Sequence, residues 1–213
     1  MKPTHELPLL RLRGGLNLAI CAEHALASYG QVLSTAPLVT NVASAAGLAV
    51  ISDSIVQTAT SPPDARWDFE RSAWMAVWGG VVSGAIIYYW LIWLGAKFPS
   101  ARTSTLQLVG KVFVNQLVMS PGLNGGFFAF VIWTRTLPRL LFTAAKRRML
   151  LDKYRQDLLP TIMRSCVFWS VVQAVNFKVV PARYGVLMTN AAFVVWTTYL
   201  SFVGNRAAAK KAV

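Results

Sequence analysis

Residues 169–201 read WSVVQAVNFKVVPARYGVLMTNAAFVVWTTYLS, and the fold class turns on them. Two apolar runs meet at Pro181. Trp169, Gln173 and Asn176 are set inside the first, and Asn190, Trp196 and Tyr199 inside the second. A proline cannot continue a helix with its hydrogen bonds intact, so Pro181 closes one helix and the following run forms another, giving a helical hairpin. Trp169, Gln173 and Asn176 follow helical spacing and share a face, where the amides can bond across to a neighbouring helix and the indole adds packing area. Such residues matter more in runs destined for lipid than in water, because hydrocarbon offers them no partner.

Working outward, the whole chain has the same character. Its 213 residues are 55% hydrophobic and 14% charged, with a mean hydropathy of +0.47, too apolar for an ordinary soluble domain. A helical span needs about 20 mostly apolar residues. Leu33 to Val56, Ala73 to Gly95, Gly122 to Phe142 and Gly185 to Gly204 approach that length, and Leu106 to Ser120 and Thr161 to Val180 are weaker candidates. The expected fold is all-α, an integral membrane helical bundle of four or more transmembrane helices. Residues 1–30 are expected to form an N-terminal interfacial segment, 31–204 a single transmembrane domain, and 205–213 a basic C-terminal tail. The N-terminus lacks the apolar core and small-residue cleavage site of a secretory signal, and a short amphipathic helix through Leu16, Ile20 and Ala27 along the interface fits it better.

Prolines and glycines supply the punctuation. Ser61, Pro62, Pro63 and Asp64 close the first span; Asp68, Glu70 and Arg71 open the second from the wet side, with Trp67 and Trp74 at interfacial depth. A break follows at Phe98, Pro99 and Ser100. Pro121 with Gly122, Gly125 and Gly126 marks a kink or restart, and Pro160 opens the next helix. Ser72, Ala76, Gly80 and Gly84, each four apart, form a small-residue ridge that permits close helix contact, with Ala43 and Gly47 as its expected counterpart and Tyr88 one turn further on.

Polar groups inside the apolar runs are the candidate interior: Asp53 and Gln57 one turn apart, and Lys111 and Asn115 one turn apart with Gln116 adjacent. A charge at bilayer depth costs at least about 2.5 kcal/mol, so these residues face protein or a watery cavity, as interhelical ties or as the lining of a solute pathway. Asp53 and Lys111, each without a local counter-ion, are expected to pair.

Lys and Arg exceed Asp and Glu by 21 to 8, a net charge of +13. The basic residues lie at span ends and in loops, not on a soluble face interleaved with aromatics, which disfavours nucleic acid and favours anionic lipid head groups such as cardiolipin. Lys146, Arg147, Arg148, Lys153 and Arg155 are the candidate lipid-head contacts, and the loop-charge bias places them on the negative side of the membrane. Cys21 and Cys166 form no spaced pair and read as buried thiols, while His5 and His24 lack companions at ligand spacing. Ser, His and Asp are not arranged as a recognisable nucleophile and base, the acids are scattered, and no phosphate-binding glycine loop occurs, so neither catalysis nor a cofactor is expected.

At these positions the chain resembles the Mpv-seventeen and peroxisomal-membrane-protein-twenty-two family of small multispan organelle proteins, from about Tyr29 to Ser201. Tyr29, Leu33, Pro37 and Thr40 correspond to its opening pattern, and Asp53 with Gln57 to its Gly-Asp-x-x-x-Gln motif. Asp68, Arg71, Gly79, Gly84 and Trp90 fall at the spacing of its second-span signature, and Lys111, Gln116 and Pro121 match its Lys-x-x-x-Asp-Gln stretch and the proline after it. Trp169, Gln173, Asn176, Phe177, Val180 and Pro181, then Trp196, Tyr199, Leu200 and Ser201, match its final hairpin. Departures include Ser52 for glycine, Trp74 for arginine, Ala85 for proline, Tyr88 for histidine, Leu91 for tyrosine, Asn115 for aspartate, Ser170 for proline and Gly185 for arginine. Several of them remove ionisable groups from the presumed interior. The resemblance implies a non-enzymatic mitochondrial inner-membrane protein with a channel-like or solute-permeability role. An accessory subunit of a larger membrane complex is the alternative role, and the peroxisomal membrane the alternative location.

Overall fold

The structure, a computed structural model, describes the backbone of residues 21, 23–62, 64–135 and 143–211, and the side chains of all of these except 135 and 199–211. Leu16, Ile20, His5, Pro63, Phe142 and the side chains of Tyr199, Leu200 and Ser201 lie outside the described residues. The chain divides into two compact units, Met1–Thr40 and Asn41–Val213.

In the first unit, residues 23–35 form helix α1, on which Ala27 and His24 are exposed. The backbone bends at Ala36 without losing its ladder, since Ala36 N–H still donates to the Val32 carbonyl at 3.0 Å. Pro37 begins the next helix, the position where its missing N–H costs nothing. Thr40 Oγ1 donates to the Ala36 carbonyl at 2.7 Å.

The helices that follow are α2 (Pro37–Thr60), α3 (Phe69–Lys97), α4 (Thr105–Arg135), α5 (Ala144–Lys178) and α6 (Gly185–Lys211). Among the described residues there is no strand, and α2, α3, α4 through Thr134 and α5 are each long and apolar enough to cross a membrane. The helix α6 carries the remaining apolar run. The terminal residues through 211 continue that helix.

Local chemistry sets the ends. Asp68 caps α3 by accepting from Arg71 N–H at 2.9 Å, and Thr143 caps α5 by accepting from Lys146 N–H at 3.3 Å. Arg102 donates to the carbonyls of Lys178, Val179 and Val180 at the end of α5, where backbone acceptors lack helical partners. Pro181 then turns the chain through a single 3₁₀ turn, Ala182–Tyr184, into α6.

Of the kink or restart expected at Pro121, the restart does not occur: Leu106 to Ser120 and the described part of Gly122 to Phe142 are one helix with Pro121 inside it. Transmembrane helices tolerate this because neighbouring groups re-satisfy the freed carbonyl. Pro160 does not open a helix either. α5 begins at Ala144 and passes through a π-helical turn, Tyr154–Leu158, immediately before Pro160. The wider turn absorbs the proline within a continuous helix.

Burial in the second unit is the reverse of a soluble core. On α5, Met163, Val167, Val171 and Val175 recur every four residues and are exposed, Val167 by 74%, as is Val179 just past its end, while Ser165 is 1% exposed and Gln173 and Asn176 are buried. On α4, Leu106, Val109, Phe113 and Leu117 face outward while Asn115 and Ser120 are buried. Only a hydrocarbon solvent makes this arrangement favourable. At about 1.5 Å per residue α5 is roughly 52 Å long against about 30 Å of hydrocarbon. Its charged N-terminal third therefore lies beyond the apolar slab.

The contact between α2 and α3 depends on a change of helical period. Residues Gly79–Ile86 are π-helical, with i→i+5 hydrogen bonds, so Gly79 and Gly84, five apart, come round to the same side of the helix. A Cβ at Gly79 would lie 2.5 Å from Ala49 Cβ and 2.7 Å from the Ala45 carbonyl oxygen, and one at Gly84 would lie 2.6 Å from Val42 Cα. A Cβ at Gly80 would meet Val42 Cγ1 at an ordinary 3.4 Å. The close approach belongs to Gly79 and Gly84, and the ridge expected at four-residue spacing is corrected accordingly. Its partner surface is Val42, Ala45 and Ala49. Ala43 and Gly47 are exposed, and nothing lies within 4 Å of a Cβ built at Gly47.

Candidate functional site

The five residues expected to line the interior separate into three places. Asp53, 2% exposed, receives Arg71 Nε on Oδ1 at 2.6 Å, and Gln57 Nε2 and Ser72 Oγ on Oδ2 at 2.7 Å each. Gln57 also accepts from Asp68 N–H at 2.9 Å through Oε1 and donates to the Asp68 carbonyl at 3.1 Å. Asp53 and Gln57 therefore clasp the end of α2 to the start of α3. This corrects the expected pairing of Asp53 with Lys111: Asp53 takes Arg71, three residues into α3. The Lys111 ammonium lies over the Phe177 ring at 4.4 Å, a contact between α4 and α5. Sequence spacing could not reveal Arg71 as the partner, because the turn between the helices decides which charges meet.

Asn115 and Gln116 are elsewhere again. Asn115 Oδ1 accepts the Trp90 indole N–H at 2.8 Å, tying α4 to α3 with a neutral acceptor. Gln116 donates to the Cys166 carbonyl at 3.1 Å, tying α4 to α5. Both border a partly open cavity of about 60 Å³ lined by α3, α4, α5 and α6. The helix α4 contributes Gln116, Ser120 and Asn124, spaced by four, and α5 contributes Ser165 and Gln173. Ser120 Oγ donates to Ser165 Oγ at 3.2 Å, and Asn124 Nδ2 donates to the same hydroxyl at 3.2 Å. The helix α6 adds Thr189, Asn190 and Thr197. Indoles of Trp78, Trp90, Trp169 and Trp196 make up much of the apolar wall. No ionisable side chain borders the cavity among the described residues.

The hairpin residues support this wall. Asn176 Nδ2 is 3.2 Å from each of Gln173 Oε1, the Gly185 carbonyl and Thr189 Oγ1, joining α5 to α6. Trp196 stacks on Phe168 at 5.3 Å between ring centres. Ser52, where the resembled family has glycine, shares a hydrogen bond with Thr197 and so couples α2 to α6. Sequence reasoning missed Ser120, Asn124, Ser165 and Thr197. The available signal was the four-residue repeat Gln116, Ser120, Asn124, which a helix break at Pro121 would have interrupted.

The basic cluster is not uniform. Lys146, expected to meet lipid, is 1% exposed, and its ammonium donates to the Trp133 carbonyl at 3.0 Å near the end of α4. It caps a helix, since an ammonium suits the negative end of the dipole. Arg147, Arg148 and Arg155 are exposed, and Lys153 pairs with Asp157 at 2.6 Å. Cys21 is exposed, contrary to the expectation of a buried thiol, and Cys166 is half-buried. Among the described residues no three of His, Cys, Asp and Glu gather as a metal site.

Residues 142–201 match the family model described as Mpv17 / PMP22 family. The chain is 30% identical over 193 residues to PXMP2/4 family protein 4 of Dictyostelium discoideum, covering 90% of this chain and 96% of the relative. It is 28% identical over 193 residues to Protein SYM1 of Saccharomyces cerevisiae, covering 87% and 92%. It is 27% identical over 140 residues to the Mitochondrial inner membrane protein Mpv17 of Drosophila melanogaster, covering 66% and 79%. No solved structure matches the chain.

Proposed function

This chain belongs to the Mpv17 / PMP22 family, and from that premise we propose that it is a non-enzymatic permeability protein, passing small solutes through the cavity inside its bundle. Its membrane is the mitochondrial inner membrane, the location named for the Drosophila relative. The observation that carries the reading is the cavity bordered by Asn115, Gln116, Ser120, Asn124 and Gln173 amid helices whose outer faces are apolar. Buried polar groups that serve only to tie helices have no need of an unfilled space beside them, whereas a pathway requires one. The mechanism is passive: hydroxyls and amides replace part of a solute's hydration while the lipid-facing residues keep the bundle in the bilayer. Asp53 and Gln57 have a structural part in it, holding α2 against α3. Arg147, Arg148 and Arg155, at the wet end of α5, are the surface we assign to anionic lipid head groups such as cardiolipin.

The test is solute flux into vesicles reconstituted with the purified chain, against protein-free vesicles. Faster flux that falls when Ser120→Leu narrows the cavity supports the reading. Flux equal to that of empty vesicles refutes it and favours the accessory-subunit role.

A further inference from the structure

The cavity carries no charge, and its wall holds a donor without an acceptor. Asn190, 3% exposed, borders it from α6, and its Nδ2 has no hydrogen-bond partner. Buried amide donors are nearly always satisfied, so an orphan on a residue that borders an unfilled space marks where an acceptor oxygen belongs. The remaining wall alternates neutral hydroxyls and amides, such as Ser83, Ser165 and Gln173, with indoles. An ion entering here would leave water without meeting a counter-charge, since Asp53 and Arg71 lie outside the cavity wall and pair with each other.

A guest that fits has hydroxyl oxygens on one side and C–H surface on the other. One water needs roughly 10–15 Å³ of such space, so about 60 Å³ takes around four to six waters; bonded atoms sit about 1.5 Å apart where hydrogen-bonded waters sit about 2.8 Å apart, so a guest of about six to eight non-hydrogen atoms fits. We infer that this cavity is selective for small uncharged polyols of three or four carbons, with Asn190 Nδ2 donating to a solute hydroxyl. The inference rests on the permeability reading above and names its solute class.

Reconstituted vesicles shrunk in hyperosmotic glycerol or erythritol and followed by light scattering test it, with sorbitol, potassium chloride and potassium phosphate as the contrasting solutes. The expected result is volume recovery in erythritol well above that of empty vesicles, with little recovery in sorbitol or either salt. Asn190→Leu, close in volume, should lower erythritol flux about tenfold, the equivalent of one hydrogen bond, with no loss of thermal stability. Ser83→Leu, filling the cavity from α3, should lower it too, so the test survives poor folding of either variant. Passage of the salts with exclusion of erythritol overturns the solute class and leaves the permeability reading standing. Absence of flux for every solute overturns both, and unchanged erythritol flux in both folded variants overturns the assignment of the route to this cavity.

Discussion

Alanine at Gly79, Gly80 and Gly84 of α3 distinguishes the widened helix from a regular one. At Gly79 the new Cβ would sit 2.5 Å from Ala49 Cβ and 2.7 Å from a backbone oxygen, and at Gly84 2.6 Å from Val42 Cα, so main chain must move in both cases. Overpacking of this kind costs about 1–3 kcal/mol, against about 0.5–1 kcal/mol gained from replacing glycine in a helix. Net destabilisation of up to about 2.5 kcal/mol follows for Gly79→Ala and Gly84→Ala. At Gly80 the nearest atom is Val42 Cγ1 at 3.4 Å, the end of a side chain that can turn aside. Only the helix-propensity term remains there, and Gly80→Ala is neutral or stabilising by up to about 1 kcal/mol. Thermal unfolding in detergent, read by the surviving monodisperse fraction, ranks the three variants. If Gly80→Ala is the most damaging and Gly79→Ala is harmless, the glycines act at four-residue spacing and the π-helical reasoning is wrong.

Asp53→Ala leaves Arg71, Gln57 and Ser72 without their common acceptor and should destabilise the protein by about 3 kcal/mol, the lower end for a broken buried pair because Arg71 is partly exposed; detergent unfolding measures it. Lys153→Ala, which breaks an exposed pair, should change stability by less than about 0.5 kcal/mol in the same assay. Replacing Arg147 and Arg148 with serine should weaken retention on cardiolipin-containing vesicles by about 1 kcal/mol for each charge. Lys146→Met should leave vesicle retention unchanged while lowering stability, because its ammonium bonds the Trp133 carbonyl. Equal loss of lipid binding for Lys146→Met and the arginine variants would refute the division of the cluster.

The lipid-facing stripes and the proline at 181 are legible in sequence because each is a local pattern: valines every four residues, and an amide-bearing apolar run stopped by a residue without an N–H. The route of α4 through Pro121 was not legible, since a proline's effect depends on whether neighbours donate to the freed carbonyl. That one break hid the polar row Gln116, Ser120, Asn124, and with it half of the cavity. The π-helical turns at Gly79–Ile86 and Tyr154–Leu158 shift facing residues by one position, and no four-residue reading anticipates them. Partners across helices were equally hidden. Asp53 and Lys111 each lacked a local counter-ion, but the turn before Asp68 delivers Arg71 to one and Phe177 lies beneath the other. Short hydroxyl residues such as Ser165 and Thr197 gave little signal, since they sit in membrane helices by bonding their own backbone, as Thr197 Oγ1 does with the Phe193 carbonyl at 2.9 Å.

Water access to single cysteines tests most directly whether the polar interior is a wet pathway. In a background with Cys21 and Cys166 replaced by serine, cysteine is placed at Asn124, Ser165 or Gln173 within the cavity, or at Val167 or Val171 on the outer face of α5. A small charge-neutral, membrane-impermeant thiol reagent is applied to the reconstituted protein. Rapid modification of the cavity positions, slowed by added erythritol, with the outer positions unreactive, is the predicted result. Unreactive cavity cysteines in correctly folded variants would contradict a water-filled route through this bundle.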